Sequence, residues 1–282
     1  MPRPHRSPAR AAAPLAAVVS LGLVPAAARA QDDDRDVRVE RNVFTWDGAV
    51  PAGRWVYVRN LNGGVRVEPS PDGQVHVTAD RRSRGDVNPR ELRFVQQKAA
   101  DGQSVVLCAL WGEETRCGED DYRGRRNGWW NNRNGWSSAD FTVRVPATVR
   151  LDLSTTNGGL EVRGAGSELV ATTTNGGIRV EAGGGPVRAH TTNGGVDVRL
   201  SALGDAREFD LTTTNGSVSL EVPPSLGAEV DMSTVNGRVE TDFPVTVQGR
   251  IDPHRLRVTL GDGARRVRLR TTNGSVRLRR GG

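Results

Sequence analysis

The sequence is poor in the residues that most site chemistry and most cross-linked scaffolds require. Its 282 residues include two cysteines, two methionines, two tyrosines, four histidines and one lysine, Lys98, and aromatics make up 5%. Two cysteines exclude a disulfide-dense scaffold or a cysteine-ligated cluster. No apolar run outside the first 30 residues approaches the ~18 residues of a membrane-spanning helix, so no transmembrane segment is expected. A large charge of one sign is also missing. The chain has 39 basic and 33 acidic residues. Four of those arginines lie in the first 30 residues, which leaves 35 basic residues after them. That near balance excludes the electrostatic footprint of a nucleic-acid binder. There is no HExxH, no GxSxG elbow and no phosphate loop. His76, His190 and His254 lack partners at metal-ligand spacing. The expectation is a protein without cofactor, metal or catalytic constellation.

Residues 1–30 read as a signal peptide. Arg3, Arg6 and Arg10 form a basic start, Ala11–Ala27 is apolar, and Ala28-Arg29-Ala30 fits a small-x-small cleavage site. The protein is therefore expected to be exported, to the periplasm or the cell surface. Residues 31–42 begin with an Asp-rich run, read as a solvated tail, since its spacing is not that of a calcium loop.

The dominant feature is a repeat. Asn-Gly recurs with an aliphatic residue three places after the Asn, at Asn62, Asn157, Asn175, Asn193, Asn215, Asn236 and Asn273. Spacings from Asn157 onward are 18, 18, 22, 21 and 37 residues, and the last suggests a degenerate copy between Asn236 and Asn273. Two, four and six places before the Asn stand columns such as Thr173, Ala171 and Leu169. Three and five places after it stand pairs such as Ile178 and Val180. Both are the period-two pattern of a half-buried strand. The parity shifts at Asn-Gly, so the chain must bend there, and both residues tolerate left-handed backbone angles.

Strand, corner and strand fit either an antiparallel meander or a parallel β-solenoid of 18–22-residue coils. Outward residues favour the solenoid. Four places after the Asn, successive copies carry Glu161, Arg179 and Asp197. Six places after it they carry Arg163, Glu181, Arg199 and Glu221. In stacked coils ~4.8 Å apart these become ladders of alternating charge. The right-handed crossover rule sets the expected hand. Stacking also gives the Asn a purpose. Asn157, Asn175, Asn193, Asn215, Asn236 and Asn273 are expected to form a structural amide ladder. The inward Thr hydroxyls would satisfy one another or the backbone.

Residues 43–282 thus read as one solenoid domain, irregular over 43–150 and regular over 151–282. Cys108 and Cys117 are expected to form a disulfide, given export. Between Gly112 and Ser138 lies an insert containing YRGRRNGWWNNRNGW. Its Trp129, Trp130 and Trp136 are candidate ligand contacts, and its removal is expected to leave the fold intact. Arg265–Arg280 holds seven arginines and no acid, either an anion-facing surface or a solvated face. The outward Thr156, Thr174, Thr192, Thr214 and Thr272 form a hydroxyl column interrupted nearby by His190, Val235 and Arg270, too broken for ice binding.

The TTNGG-type copies, the Val145-Pro146 step before them and the leader resemble the bacterial putative-adhesin family, an exported domain of unknown function built of β-strand repeats. The resemblance spans about Val43 to Arg279. It implies a β-solenoid outside the cytoplasmic membrane and no known enzymatic activity. The role expected is non-enzymatic, adhesin-like interaction at the cell surface or envelope, with a surface glycan or envelope protein as partner. The alternative is a polysaccharide-binding or polysaccharide-cleaving β-helix.

Overall fold

The computed structural model describes residues 38–40, 43–85, 91–112, 115–124, 135–245 and 252–281. Residues 1–30, read above as a signal peptide, most of the acidic tail, and Trp129 and Trp130 lie outside these residues. The described chain forms 21 strands. The first eight are β1 (Arg38–Glu40), β2 (Val43–Gly48), β3 (Trp55–Arg59), β4 (Val65–Pro69), β5 (Val75–Gly85), β6 (Leu92–Lys98), β7 (Val105–Trp111) and β8 (Gly135–Val145). The repeats follow as β9 (Arg150–Asn157), β10 (Leu160–Ala165), β11 (Leu169–Asn175), β12 (Ile178–Ala182), β13 (Val187–Asn193), β14 (Val196–Leu200), β15 (Glu208–Asn215) and β16 (Val218–Val222). The last five are β17 (Ala228–Ser233), β18 (Val239–Thr241), β19 (Arg255–Leu260), β20 (Arg265–Asn273) and β21 (Val276–Arg280).

Each repeat gives one strand to each of two sheets. Sheet A runs β1-β2-β5-β8-β4-β10-β12-β14-β16-β21-β18, and sheet B runs β19-β17-β20-β15-β13-β11-β9-β3-β7-β6. Repeat strands pair in parallel with equivalent residues in register, as in Leu169↔Val187 and Ile178↔Val196. The fold is thus a parallel β-solenoid and not an antiparallel meander. The inward columns pack as one core running through all the coils, with Val58, Leu153, Ala171, Ala189, Leu211, Leu269 and Met232 at equivalent depth. Each Val, Leu and Met side chain of these columns contributes ~1.5–3 kcal/mol by burial. Glu161, Arg179 and Asp197 line up on sheet A as neighbours.

Two sequence expectations need correction. Among the described residues no degenerate coil lies between Asn236 and Asn273. The chain there turns back, and β19 pairs antiparallel with β17 at the end of sheet B. Nor do the copies stack wholly in chain order. The C-terminal coil, β20 with β21, sits between coil β15/β16 and coil β17/β18. At the other end coil β3/β4 lies between coil β7/β8 and coil β9/β10.

Charge favours both inversions. In chain order Asp231 would face Asp210, and Glu229 would face Glu208. In the observed order Arg268 and Arg266 lie between them. On sheet A the observed order places Arg279 beside Glu221 and Arg277 between Ser219 and Glu240. Arg144 neighbours Glu68, and chain order would add Arg163 on its other side. Opposite neighbours at this spacing attract by a few tenths of a kcal/mol and like neighbours repel. The Arg-rich C-terminal run is therefore the cationic layer between two acidic coils.

The insert is also more than an excursion. It stands where coil β7/β8 would carry its corner. Residues 115–124 fold back over the outer face of β7, held by a Cys108–Cys117 disulfide with Cα atoms 5.8 Å apart. Tyr122 Oη donates to the Ala109 carbonyl at 2.7 Å, and Trp111 N–H donates to the Gly124 carbonyl at 2.7 Å. A second small core forms underneath from Val106, Cys108 and Leu110, against Tyr57, Val95 and Tyr122. Arg59, 6% exposed, is enclosed there. It pairs with Asp152 at 2.7 Å, donates to the Glu119 carbonyl and lies over the Tyr57 ring. Removing all of the insert would uncover this charge.

Candidate functional site

The corner is the feature that repeats most faithfully, and three residue types build it. The Asn side chains bond from coil to coil. Asn157 Nδ2 donates to Asn62 Oδ1, Asn175 to Asn157, Asn193 to Asn175 and Asn215 to Asn193, each at 2.8 Å. The line continues in stacking order, with Asn273 donating to Asn215 and Asn236 to Asn273 at 2.7 Å. The buried Thr one step inward donates its hydroxyl to the corner carbonyl of the neighbouring coil. Thr173 bonds to Gly158 at 2.9 Å, Thr191 to Gly176 at 2.9 Å and Thr213 to Gly194 at 2.8 Å. Asn60 takes the Thr place in coil β3/β4, donating to Gly63 at 3.0 Å and Ala139 at 2.8 Å. These buried polar groups would each cost ~1–3 kcal/mol if left unpaired.

The glycine after each Asn is required by close approach. A Cβ on Gly176 would lie 2.0 Å from the Gly158 carbonyl oxygen, and one on Gly194 2.1 Å from that of Gly176. The next position is open. A Cβ on Gly177 would meet the Gly195 carbonyl oxygen at 3.4 Å. Ser217 and Ser275 occupy that place in other copies.

These second-position residues form the floor of a groove of about 930 Å³ along sheet A. Gly64, Gly159, Gly177, Gly195 and Ser217 line it, with the outward column of Arg66, Glu161, Arg179, Asp197, Ser219 and Arg277 beside them. The groove crosses the coils from β8 to β21, six steps that span roughly 29 Å at ~4.8 Å per strand. Its N-terminal end meets the β5–β8 ribbon, which contributes Asp80, Arg82 and Asp140.

Most groove charges are paired on the protein itself. Glu161 accepts from Arg66 at 3.3 Å and from Arg163 at 2.7 Å. Arg199 approaches Asp197 at 3.7 Å, and Arg82 approaches Asp140 at 3.3 Å. Of the groove's charged residues, Arg179, Arg279 and Asp80 have no ion-pair partner among the described residues. Sequence reasoning identified this column as a charge ladder but missed the groove, because the columns say which residues are neighbours and not how the surface between them curves.

The other expected contacts fall elsewhere. Trp136 lies on the far part of the ribbon, 52% exposed. His190 is outward on sheet B, 2.8 Å from Thr212 Oγ1. No group of three or more His, Cys, Asp or Glu at metal-binding geometry occurs among the described residues. Outside the groove, His76 lies between two carboxylates, with Nδ1 at 2.6 Å from Asp47 and Nε2 at 2.8 Å from Asp72. The hydrogen bonds to Asp72 and Asp47 raise the imidazole pKa, and the bond from His76 holds Asp72 down to about 2. Burial, reinforced by Glu119, pushes Tyr57 up to about 12.

Among solved structures, the chain is similar to a putative cell adhesion protein from Clostridium sporogenes, at 10% identity and a TM-score of 0.45, with 84% of this chain and 99% of that one covered. It is also similar to a putative adhesin from Bacteroides fragilis, at 10% identity and a TM-score of 0.36, with 86% and 98% covered. No curated protein matches the chain. The family profile of Toastrack DUF4097 matches residues 136–279, which run from β8 through the last coil and include the groove lining from Asp140 to Arg279 but not Gly64, Arg66, Asp80 and Arg82. The chain belongs to the Toastrack DUF4097 family.

Proposed function

We propose that the protein is an exported, non-enzymatic, adhesin-like module that holds a cell-surface or envelope partner along the groove of sheet A. The observation that carries this reading is the groove itself. It is open, about 930 Å³ in volume, and follows the coil axis with a floor of backbone. Such a shape receives a long partner lying across many coils and does not enclose a small molecule. The coil stack holds it rigid, so little ordering cost is added on binding. The Cys108–Cys117 bond supports export, because such bonds persist in oxidising compartments. The open glycine floor suits a glycan better than a folded protein face.

Incubating the full chain with a panel of purified cell-envelope glycans tests the reading. Saturable binding with unshortened glycan is the expected result. Shortened chains would transfer the protein to the alternative reading, a polysaccharide-cleaving β-helix. Neither binding nor cleavage would overturn both.

A further inference from the structure

We propose that the groove recognises a carboxylate-bearing glycan, a chain of the polyuronate type, through a row of backbone amides on its floor. This rests on the groove being the binding face and adds the chemistry of what it binds.

The second residue of each corner uses its carbonyl within the stack. Gly159 accepts from Val65 N–H, Gly177 from Leu160, Gly195 from Ile178 and Ser217 from Val196. Their own N–H groups have no partner among the described residues. These four donors belong to residues that are solvent-exposed and line the groove. Unsatisfied amides in a row are an anion-binding arrangement.

The same row shows which anion fits. At the equivalent place in coil β3/β4, the Gly64 N–H donates to the carboxylate of Asp140 at 2.9 Å. Asp140 reaches in from the β5–β8 ribbon, so the protein fills its first rung with its own carboxylate. The far end is closed differently. The Ser275 N–H is capped by Ser217 Oγ at 3.4 Å. The rungs at Gly159, Gly177, Gly195 and Ser217 remain open between these two.

Charge agrees. Arg179 stands in the middle of the open stretch with no ion-pair partner among the described residues. Its register neighbours Glu161 and Asp197 face Arg66, Arg163 and Arg199 instead. Arg179 is therefore free to pair with an incoming carboxylate, and amide bonds to an ionised carboxylate are the stronger class.

Successive rungs lie ~4.8 Å apart, so a chain that carries carboxylates at regular intervals can meet several of them. The floor is bare backbone at Gly159, Gly177 and Gly195, which leaves room for sugar rings to lie along it.

The test is calorimetric titration of the full chain at low salt with polygalacturonate, its fully methyl-esterified form, and polyglutamate. Polygalacturonate should bind saturably, the ester should not bind, and polyglutamate should bind roughly ten-fold more weakly. Two variants locate the site. Gly177→Ser copies the residue found at Ser217 and should cap the neighbouring amide of Gly195, weakening binding roughly ten-fold at an unchanged melting midpoint. Arg179→Gln should weaken it comparably and does not touch the corner. Equal binding of the ester would overturn the proposal, as would unchanged affinity in both variants. Tighter binding of polyglutamate would overturn it in favour of an acidic peptide. Saturable binding of a neutral envelope glycan without binding of polygalacturonate would overturn this inference and leave the surface role standing.

Discussion

At the scale of residues, the two glycines of each corner do different work although they look alike in the sequence. The first allows coils to approach, since any Cβ there would overlap the neighbouring carbonyl. The second leaves the groove floor bare. Gly176→Ala should lower the unfolding free energy by roughly 1–3 kcal/mol through overpacking. Gly177→Ala should change it by no more than about 0.5 kcal/mol. Chemical denaturation of both variants checks this, and equal losses would show that backbone freedom and not the carbonyl contact makes glycine necessary. The internal copies already suggested the difference, because serine replaces the second glycine in two of them and never the first. What they could not supply was the reason, which is a distance between coils.

At the scale of elements, the N-terminal cap differs from the coils it covers. β2, β5 and the long ribbon of β5 with β8 pair antiparallel, and the turn before β5 is tied down by His76. The sign of its pH dependence follows from the raised pKa. The protonated imidazole is favoured in the folded state, so its contribution is complete below the unfolded value of about 6.5 and disappears as pH rises through the folded value. Asp72, held at about 2, keeps its charge down to strongly acid pH. Melting midpoints of the native chain and of His76→Asn should therefore differ most near pH 5 and converge in alkaline solution. A gap that is constant with pH would assign His76 a packing role instead. The ends of the solenoid were hard to read from the sequence. Val75 and Val77 alternate just as repeat strands do, and alternation does not distinguish parallel from antiparallel pairing.

At the scale of the whole molecule, the order of coils is a property of charge as much as of chain path. Chain order would oppose Glu208 to Glu229 and Asp210 to Asp231, and would bring Arg144 toward Arg163. Summed over such columns the penalty is on the order of 1–3 kcal/mol. Exchanging the charges makes the opposite order favourable. Arginine at 229, 231, 240 and 242, with glutamate at 266, 268, 277 and 279, should return the C-terminal coil to the end of the stack. Cysteines at 217 and 275 should cross-link in the native background, since equivalent residues of adjacent coils lie at disulfide distance. In the exchanged chain, cysteines at 217 and 238 should cross-link in their place. A persistent link between 217 and 275 would show that the connecting path, not charge, places the coil.

The sequence by itself determined the unit: an apolar column either side of a bend, a Thr beneath it, an Asn-Gly at the corner, and charges that alternate from copy to copy. Periodicity encodes these because each depends on residues within one coil or on identical residues in the next. Only the tertiary structure decided which coil lies beside which, that residues 115–124 cover a second core, and that the corner amides open into a groove. Those features depend on contacts between segments far apart in the chain, where sequence separation carries no information about distance. The C-terminal arginines show the difference most clearly: read alone they are an anion-facing surface or a solvated face, and in the fold they are the layer that keeps two acidic coils apart.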